Sequence, residues 1–572
     1  MKITDCLNIL TKREKLGFLF YFIIFYISYF FEMLGIGLLL PLLSKDNLSN
    51  VSTDIPILNN LFNFFEKFNT SEILIIMVVL IILKNTFLIF ANFFNQFLYY
   101  KVNTRLANIV FAHYLNIDYE KLLKKKVHTI NRKVTLELPI FVDYLVRNVD
   151  FFSFFSLLLI YGIFGAVIFI EATYIFLPII IILILISKLI FKKKLKEYGK
   201  QRVNADDSIN NAIIEFLPGL REILVYRLKS KIIKKFFIEI SNKFKVILKL
   251  NFLTKNNKNI FELLVAVLIL IFFFIFFKEN KFVQEDYLPL LIFFVALFTR
   301  SMPVLAELFS IRQRINFASA SANQTIKELK SIKNNLRKLS TSKLNYKNLS
   351  TLELKNLNFS YDKNNIVFKN LNFKVEIWSN KVLLIYGKNG SGKSTFIDLI
   401  SGVLRPHSGK LLCDNKFINF EDLKEITTLA PQDTLLFNGS IKKNITMNFF
   451  TDNNFVIKDR LSKSIEFAGL GNFINTFKNK IEHHISDGGK NLSGGQKQRI
   501  GLARALYKDS KIIIFDEPTN NLDLKGKNNF IKNISKLSKE QKIIIITHDL
   551  GLKKMNSISY EIINKKIVKI DD

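Results

Sequence analysis

The sequence predicts a multi-domain protein in which an all-α domain of six membrane-spanning helices precedes an α/β domain with a phosphate-binding loop. Three observations support this fold class. Apolar residues are concentrated before residue 310, in runs long enough to cross a bilayer. The composition becomes that of a soluble protein after about residue 340. The segment "VLLIYGKNGSGKST", residues 382–395, then places an apolar strand directly before a glycine-rich loop and a helix.

Apolar runs of about 20 residues predict the membrane-spanning helices. They lie at 17–43, 73–100, 148–171, 173–196, 259–278 and 286–310. The first run is too long for the apolar core of a signal peptide and shows no small-residue cleavage site, so we expect a retained span. The third and fourth runs are joined by "EATY" (171–174), which predicts a tight hairpin on one side of the membrane.

Basic residues are dense in the N-terminal segment and in the connections between the second and third spans and between the fourth and fifth. Cytoplasmic loops of membrane proteins carry an excess of lysine and arginine. We therefore expect the N-terminus, both connections and the C-terminal half in the cytoplasm. Unstructured loops of such length are uncommon, so the connections are expected to be helices that extend the spans. Turns are predicted near "IDYEKLLKK" (117–125) and "LPGLREILVY" (217–226), either as short helices that dock on a soluble domain or as solvated basic hairpins.

Three ionisable residues are predicted to lie deep within the spans, namely Glu32, Lys84 and Arg300. A charged side chain is costly inside a membrane and usually faces a cavity or a partner. We expect these three residues to face a substrate cavity. A purely structural ion pair is the alternative.

Lysine and arginine outnumber aspartate and glutamate by 81 to 48, which gives a formal net charge of +33. A charge of this sign can indicate nucleic acid or an anionic surface as a partner. The sequence contains no basic helix with base-reading residues, so we expect a lipid bilayer and no nucleic acid. The two cysteines, Cys6 and Cys413, provide neither a disulfide framework nor a cysteine-based metal site.

The segment 382–395 matches the pattern G-x-x-x-x-G-K-[ST] in the strand–loop–helix context that phosphate binding requires. Its glycines allow backbone N–H groups to face phosphate oxygens. Lys393 provides positive charge for the β- and γ-phosphates, and the Ser394 hydroxyl can bind Mg²⁺. The candidate ATP-binding residues of the loop are Gly387, Asn389, Gly390, Ser391, Gly392, Lys393, Ser394 and Thr395.

Two further apolar strands end in polar residues. The first, "KIIIFDEP" (511–518), ends in Asp516, which can hold Mg²⁺, and Glu517, which can accept a proton from the attacking water. The second, "KIIIITHD" (542–549), delivers His548, which we expect to contact the γ-phosphate. Glu517 and His548 are therefore the candidate catalytic residues, and ATP and Mg²⁺ are the expected cofactors.

The segment "NLSGGQKQRIGLARAL" (491–506) places adjacent glycines directly before a basic helix. The phosphate loop, the LSGGQ sequence and the strand-terminal DE pair, in this order, resemble the ATP-binding-cassette (ABC) ATPase family over residues 350–572. The resemblance implies that this signature loop contacts ATP held by a second chain. The residues of the signature loop are Ser493, Gly494, Gly495 and Gln496.

The same resemblance implies roles for three further residues. Tyr361 is expected to stack on adenine, Gln432 to sense Mg²⁺ and the membrane domain, and Asp523 to link the two ATP sites across the dimer. Six spans, long cytoplasmic extensions and a fused C-terminal cassette resemble the exporter subfamily of ABC proteins. That subfamily implies a half-transporter working as a homodimer, with the two predicted turns as coupling helices.

The domain boundaries are expected at 1–325 for the membrane domain, 326–348 for a linker and 349–572 for the nucleotide-binding domain. The implied location is a bacterial inner membrane, with the nucleotide-binding domain in the cytoplasm.

Three segments of the membrane half resemble bacterial lipid-linked oligosaccharide flippases. They are "ISYFFEMLGIGLLLPLL" (27–43), "YLNIDYEKLLKKK" (114–126) and "ALFTRSMPVLAEL" (296–308). The resemblance implies a polyprenyl-pyrophosphate glycan as substrate, with Lys84 and Arg300 as cationic partners of the pyrophosphate. The alternatives are export of a peptide, a drug or a lipid A-type lipid, and, more remotely, an ATP-gated channel or regulator on the same fold.

Overall fold

The structure is a computed structural model that divides into two compact units. The first unit comprises Met1–Asn116 and Lys125–Leu339, and the second comprises Ile117–Lys124 and Ser340–Asp572. The described residues are 8–39, 42, 68–123, 127–168, 194–278, 287–335, 350–362, 365–450, 456–520 and 524–570.

The first unit is helical in its described part. The helices up to residue 335 are α1 (Lys12–Gly37), α2 (Thr70–Asn116), α3 (Tyr119–Leu123), α4 (Val127–Arg132), α5 (Leu138–Ile168), α6 (194–216), α7 (Leu220–Val225), α8 (Lys229–Lys278) and α9 (Tyr287–Asn335). All of these except α3 belong to the first unit. A π-helical turn, Lys133–Glu137, joins α4 to α5. In the packing of this unit, α1 lies along α2, and α9 contacts both α5 and α8.

Among the described residues, three helical stretches are long and apolar enough to cross a membrane, by length and composition. They are Lys12–Gly37, Thr70–Asn116 and Thr129–Ala166, and they overlap the first three predicted spans. The fifth and sixth predicted spans fall on α8 and α9. The fourth, and the hairpin predicted at 171–174, lie almost entirely outside the described residues.

The long connections are helical where the structure describes them, as predicted. Helix α2 continues past its predicted span to Asn116, and α8 begins at Lys229, far before residue 259. Helix α9 also continues to Asn335, into the segment expected to be a linker. The physical reason is helical periodicity, because Ile326, Leu329 and Ile332 are all buried on one face of α9.

The two predicted turns form short helices, but only the first belongs to the second unit. The segment containing α3 clusters with that unit, whereas α7 belongs to the helical unit. Asp118 lies 2.5 Å from Lys121 and 3.9 Å from Arg405, which also pairs with Glu421. The hydrogen bond from Lys121 is the main influence that holds the pKa of Asp118 low, with Arg405 contributing. The first turn thus lies against Arg405 of the second unit, and its role as a coupling helix stays a prediction.

The second unit contains two principal sheets. An antiparallel sheet has the order β2–β1–β4–β5, and a mostly parallel sheet has the order β12–β11–β3–β10–β9–β6, with β12 antiparallel. The strands are β1 (Thr351–Ser360), β2 (Ile366–Glu376), β3 (Val382–Tyr386), β4 (Ser408–Cys413), β5 (Lys416–Phe417), β6 (Thr427–Ala430), β7 (Gly439–Ser440), β8 (His484–Ile485), β9 (Ile512–Asp516), β10 (Lys542–Ile546), β11 (Ser557–Ile563) and β12 (Lys566–Ile570).

Helices cover the parallel sheet, which explains why its central strands are continuous apolar runs rather than alternating ones. Ile512, Ile513, Ile514 and Phe515 of β9 have no exposed surface. The helices are α10 (Lys393–Ile400), α11 (Leu423–Ile426), α12 (Ile441–Thr446), α13 (Lys458–Phe467), α14 (Gly471–Asn475), α15 (Gly494–Tyr507) and α16 (Leu524–Leu537). Strands β3, β10 and β9 are adjacent and parallel, so their carboxyl ends bring three of the predicted motifs to one edge.

Candidate functional site

The phosphate loop connects the buried strand β3 to α10, as predicted. Gly390 and Gly392 adopt φ angles of +80° and +104°, a left-handed region that favours glycine. A Cβ atom on Gly392 would lie 2.8 Å from Val367 Cγ1 and 3.2 Å from Phe368 Cζ. The loop thus ends at the N-terminus of α10, where backbone N–H groups attract anions.

Lys393 is held at the mouth of this loop. Its Nζ donates a hydrogen bond to the Gly387 carbonyl at 2.7 Å and lies 2.5 Å from His548 Nε2. Partial burial lowers the pKa of Lys393, while the nearby carboxylates of Glu517 and Asp516 oppose that effect. The structure therefore brings the predicted lysine, histidine and both carboxylates into one cluster.

Glu517 is 5% exposed, and both its backbone N–H and its backbone carbonyl form hydrogen bonds. Its N–H donates to the Ile546 carbonyl at 2.9 Å, and its own carbonyl accepts from Gln498 Nε2 at 3.1 Å. Its φ of 47° is unfavourable for a non-glycine residue, a strain of roughly 1–3 kcal/mol that is common at functional sites. This backbone geometry sets the direction of the carboxyl group.

The two oxygens of the Glu517 carboxylate differ in their hydrogen bonds. Oε2 accepts a hydrogen bond from the His548 N–H at 3.4 Å. Oε1 lies 3.5 Å from His548 Nε2 and has no hydrogen-bond partner among the described residues. A buried oxygen without a donor is unfavourable unless a further group supplies one, so Oε1 can receive a proton from a bound molecule.

Negative charge is concentrated beside Lys393. Burial, followed by the charges of Glu517 and Asp433, raises the pKa of Asp516 to about 6, against the influence of Lys393. Burial and the charge of Asp516 raise the pKa of Asp398 to about 6. Carboxylates crowded in this way favour a divalent cation.

The residues predicted to hold Mg²⁺ offer only oxygen donors, the type that this ion prefers. Asp516 ends β9, while Ser394 in the first turn of α10 and Gln432, just after β6, are exposed. The donor chemistry and the crowded carboxylates fit a magnesium ion at this edge of the sheet.

The signature loop forms the capped N-terminus of α15. Ser493 Oγ accepts a hydrogen bond from the Gln496 N–H at 3.2 Å, and Gln496 Oε1 accepts from the Ser493 N–H at 2.9 Å. This reciprocal pair is a capping box, which satisfies two backbone donors that a helix start leaves unpaired. Ser493 and Gly494 remain exposed, while Gly495 is half-buried.

Of two other residues that the family resemblance implies, the structure describes Tyr361 but not Asp523. The Tyr361 hydroxyl lies 3.2 Å from Thr395 Oγ1, and its ring makes an edge contact with Phe359. Tyr361 therefore lies beside the start of α10, next to the phosphate loop. Asp523 is outside the described residues.

Sequence reasoning missed two residues of this site. Asp398 lies on α10 among buried apolar neighbours. A carboxylate within such an apolar segment is the sequence feature that could have predicted a place in the site. Gln498 is 3% exposed and links α15 to the carbonyl of Glu517. No local sequence pattern predicts that hydrogen bond, because the two residues meet only when α15 packs against the parallel sheet, where it contacts β6.

The three charged residues of the spans form one cluster in the helical unit. Glu32 Oε1 lies 3.4 Å from Lys84 Nζ and 3.7 Å from Arg300 Nη1. The side chains of Glu32 and Lys84 are 10% and 17% exposed, whereas that of Arg300 is 59% exposed. Ion pairing thus brings together residues from α1, α2 and α9, and among the described residues the cluster carries two cations for one carboxylate.

Comparisons with known proteins agree with this architecture. Residues 368–520 match the family model described as ABC transporter. A solved structure of a bacterial Atm1-family ABC exporter with ATP bound superposes with a TM-score of 0.74, at 16% identity, covering 97% of this chain and 94% of the other.

Several curated proteins also resemble the chain. The putative export ATP-binding/permease protein RT0691 of Rickettsia typhi is 25% identical over 88% of each chain. The lactococcin-G-processing and transport ATP-binding protein LagD of Lactococcus lactis is 28% identical over 66% of this chain and 53% of its own length. The alpha-hemolysin translocation ATP-binding protein HlyB of Escherichia coli O157:H7 is 34% identical over 34% of this chain and 28% of its own. The chain thus spans about half of LagD and less of HlyB.

The chain therefore has a helical membrane domain fused to a C-terminal α/β nucleotide-binding domain of the ABC type. Its fold matches that of the bacterial Atm1-family ABC exporter over 97% of the chain. The fold class predicted from the sequence is confirmed.

Proposed function

We propose that this protein is an ATP-driven exporter of the inner membrane, with its nucleotide-binding domain in the cytoplasm. The observation that carries the proposal is the cluster of Lys393, Glu517 and His548 at the phosphate loop of an exporter fold. An ABC domain with these residues in place implies an ATP hydrolase. The basic cytoplasmic connections support the orientation.

The cluster suggests how the chain hydrolyses ATP. Lys393 shifts its ammonium hydrogen bonds from the Gly387 carbonyl to the β- and γ-phosphates. Glu517 Oε1 takes a proton from the attacking water, and His548 contacts the γ-phosphate. Ser394, Gln432 and Asp516 would hold Mg²⁺, which neutralises charge on the phosphates. Closure of two chains around ATP and release after hydrolysis would then drive the membrane domains between two states.

We propose further that two identical chains form the working unit. Ser493 and Gly494 are exposed at a helix N-terminus, as a loop facing ATP on a partner chain requires. Helix α7 supplies a second argument, since Leu224, Val225 and Tyr226 are 56%, 71% and 72% exposed. Consecutive exposed apolar side chains of this kind mark a contact surface. In the dimer, α7 would dock on the partner's nucleotide-binding domain.

Mixed dimers test whether the ATP site is shared between chains. Lys393→Met and Ser493→Arg are each expected to abolish hydrolysis when every chain carries the change. A dimer of one chain of each kind has one site with both changes and one intact site, formed by Lys393 of one chain and Ser493 of the other. We expect differently tagged, co-purified mixed dimers to regain hydrolysis. Mixed dimers as inactive as the parents would contradict the shared site.

For the substrate we propose a lipid-linked oligosaccharide with a pyrophosphate group. Lys84 and Arg300 both pair with the carboxylate of Glu32, so among the described residues the cluster has an excess of one positive charge. A pyrophosphate passing through a low-dielectric cavity needs such cations. The similarity to LagD favours a second candidate, a peptide substrate, because its name describes the processing and transport of lactococcin G.

Charge removal in the membrane cluster tests the substrate. Lys84→Gln and Arg300→Gln are expected to reduce flipping of a labelled lipid-linked oligosaccharide in proteoliposomes by about tenfold or more, with basal ATP hydrolysis retained. Lys101→Gln, an exposed lysine elsewhere on α2, is the matched control and is expected to flip normally.

Glu32→Gln separates the substrate role from a structural one. It frees both cations, so flipping should persist if they bind pyrophosphate. A loss of flipping in Glu32→Gln equal to that in Lys84→Gln would show instead that the ion pair only stabilises the helices. Unchanged flipping in both cation variants would exclude the proposed contact.

A further inference from the structure

The helical unit contains a polar cavity outside the predicted spans. It has a volume of about 390 Å³ and is lined by residues of the turn at 132–137 and of the C-terminal part of α9. The lining residues are Arg132, Lys133, Glu137, Gln324, Thr325, Lys327, Glu328 and Ser331. Each lining residue has a polar or charged side chain, and the volume lies near the low end of the roughly 300–1,000 Å³ of ligand pockets, so the cavity suits a small solute that these groups can hold.

Most charges of this lining already have partners. Lys133 Nζ lies 2.7 Å from Glu328 Oε2, and Glu328 also accepts from the Tyr114 hydroxyl. Arg132 pairs with Asp207, which lies on α6. Arg132 Nε and Nη1 are nevertheless buried without a hydrogen-bond partner among the described residues. Glu137 and Lys327 are the two other charged residues of the lining.

Glu137 is a buried carboxylate short of hydrogen-bond donors. It is 4% exposed, and neither oxygen has a hydrogen-bond partner among the described residues. Arg202 Nη2 is 3.7 Å from Oε1, while Arg202 Nη1 donates its hydrogen bond to Asp206 at 3.0 Å. A buried acceptor in this condition is costly unless a further donor completes it.

Lys327 is the complementary group. It is exposed, and it forms no ion pair within the part of the chain that the structure describes. The cavity thus offers a carboxylate without a hydrogen-bond donor among the described residues, and an exposed ammonium without an ion-pair partner there. The π-helical turn that carries Glu137 is a rare conformation, found frequently at functional sites.

We propose that this cavity binds a small zwitterion, either an α-amino acid or a short peptide with free termini. Its ammonium group donates to Glu137, and its carboxylate pairs with Lys327. The ligand would bridge the turn after α4 to α9, the helix that precedes the nucleotide-binding domain in sequence. The site is separate from both the ATP cluster and the charged residues of the spans, and so adds an effector site to the proposed transport function.

Calorimetric titration of the full-length protein in lipid nanodiscs tests the site, with glycine, triglycine and N-acetyl-triglycine amide as probes. We expect saturable binding of glycine or triglycine and at least about tenfold weaker binding of the blocked peptide. Glu137→Gln and Lys327→Gln should each weaken binding by about tenfold. Lys330→Gln, an exposed lysine on α9 outside the lining, should bind as wild type does.

Each outcome decides the proposal. Binding of triglycine alone assigns a short peptide, and binding of glycine alone assigns an amino acid. Absence of saturable binding by either probe would overturn the site, as would equal binding of the blocked peptide. If Glu137→Gln fails to fold, the exposed position Lys327 and the blocked peptide still give the answer. Glu517→Gln should bind the probes normally, which separates this site from the proposed transport cycle.

Discussion

Replacing Glu517 by glutamine is expected to reduce ATP hydrolysis by about 10²–10⁴-fold while ATP binding is retained. The substitution keeps the size of the side chain but removes the carboxylate oxygen that can accept a proton. Oε1 is the buried oxygen for which the described residues offer no donor, and His548 orients the other oxygen. Hydrolysis and the binding of a fluorescent ATP analogue should be measured on the same preparation.

Glu540→Gln is the matched control for Glu517→Gln. Glu540→Gln changes an exposed glutamate of the same domain and should hydrolyse ATP normally. Full hydrolysis by Glu517→Gln would remove the proposed role of this carboxylate. Absence of ATP hydrolysis in the wild type would instead favour the alternative function, an ATP-gated channel or regulator.

Replacing Gly392 by alanine is expected to abolish ATP binding by distorting the phosphate loop. Gly392 has a φ of +104°, and an added Cβ atom would meet Val367 at 2.8 Å and the fully buried Phe368 at 3.2 Å. A left-handed backbone costs about 1–2 kcal/mol for a residue other than glycine, before any steric clash. The binding of nucleotide and the unfolding temperature should both fall.

Gly471→Ala provides the matched comparison. Its Cβ atom would have no neighbour within 4 Å, and its φ is not positive, so nucleotide binding and stability should stay near those of the wild type. Wild-type nucleotide binding by Gly392→Ala would show that the loop does not require the geometry described above.

The ATP site was largely predictable because its elements are local. A strand, a glycine-rich loop and a helix follow one another in 382–395, and parallel strand order brings Asp516 and His548 to the same edge. The remaining contacts depend on packing between distant segments. Gln498 reaches the Glu517 carbonyl only because α15 packs against the parallel sheet, and the spacing of the two residues in sequence does not predict that contact.

The helical unit shows the same division. Apolar runs predicted the spans, because length and composition are set by the bilayer. The ion pairs of Glu32 with Lys84 and Arg300 join three helices that are far apart in sequence, and no periodicity specifies which charges meet. Likewise, the pairing that leaves Glu137 without a donor arises on α6, where Arg202 donates to Asp206, and the turn that contains Glu137 does not predict it.

The central claim is that ATP hydrolysis, with Glu517 as the proton acceptor, drives transport. A transport assay in proteoliposomes tests it most directly. Movement of a radiolabelled lipid-linked oligosaccharide should be followed with and without ATP, alongside hydrolysis, for the wild type and Glu517→Gln. The proposed function predicts ATP-dependent movement in the wild type and none in the variant. ATP hydrolysis without movement would contradict the flippase substrate and favour a peptide, whereas movement that continues in Glu517→Gln would contradict the ATP-driven mechanism itself.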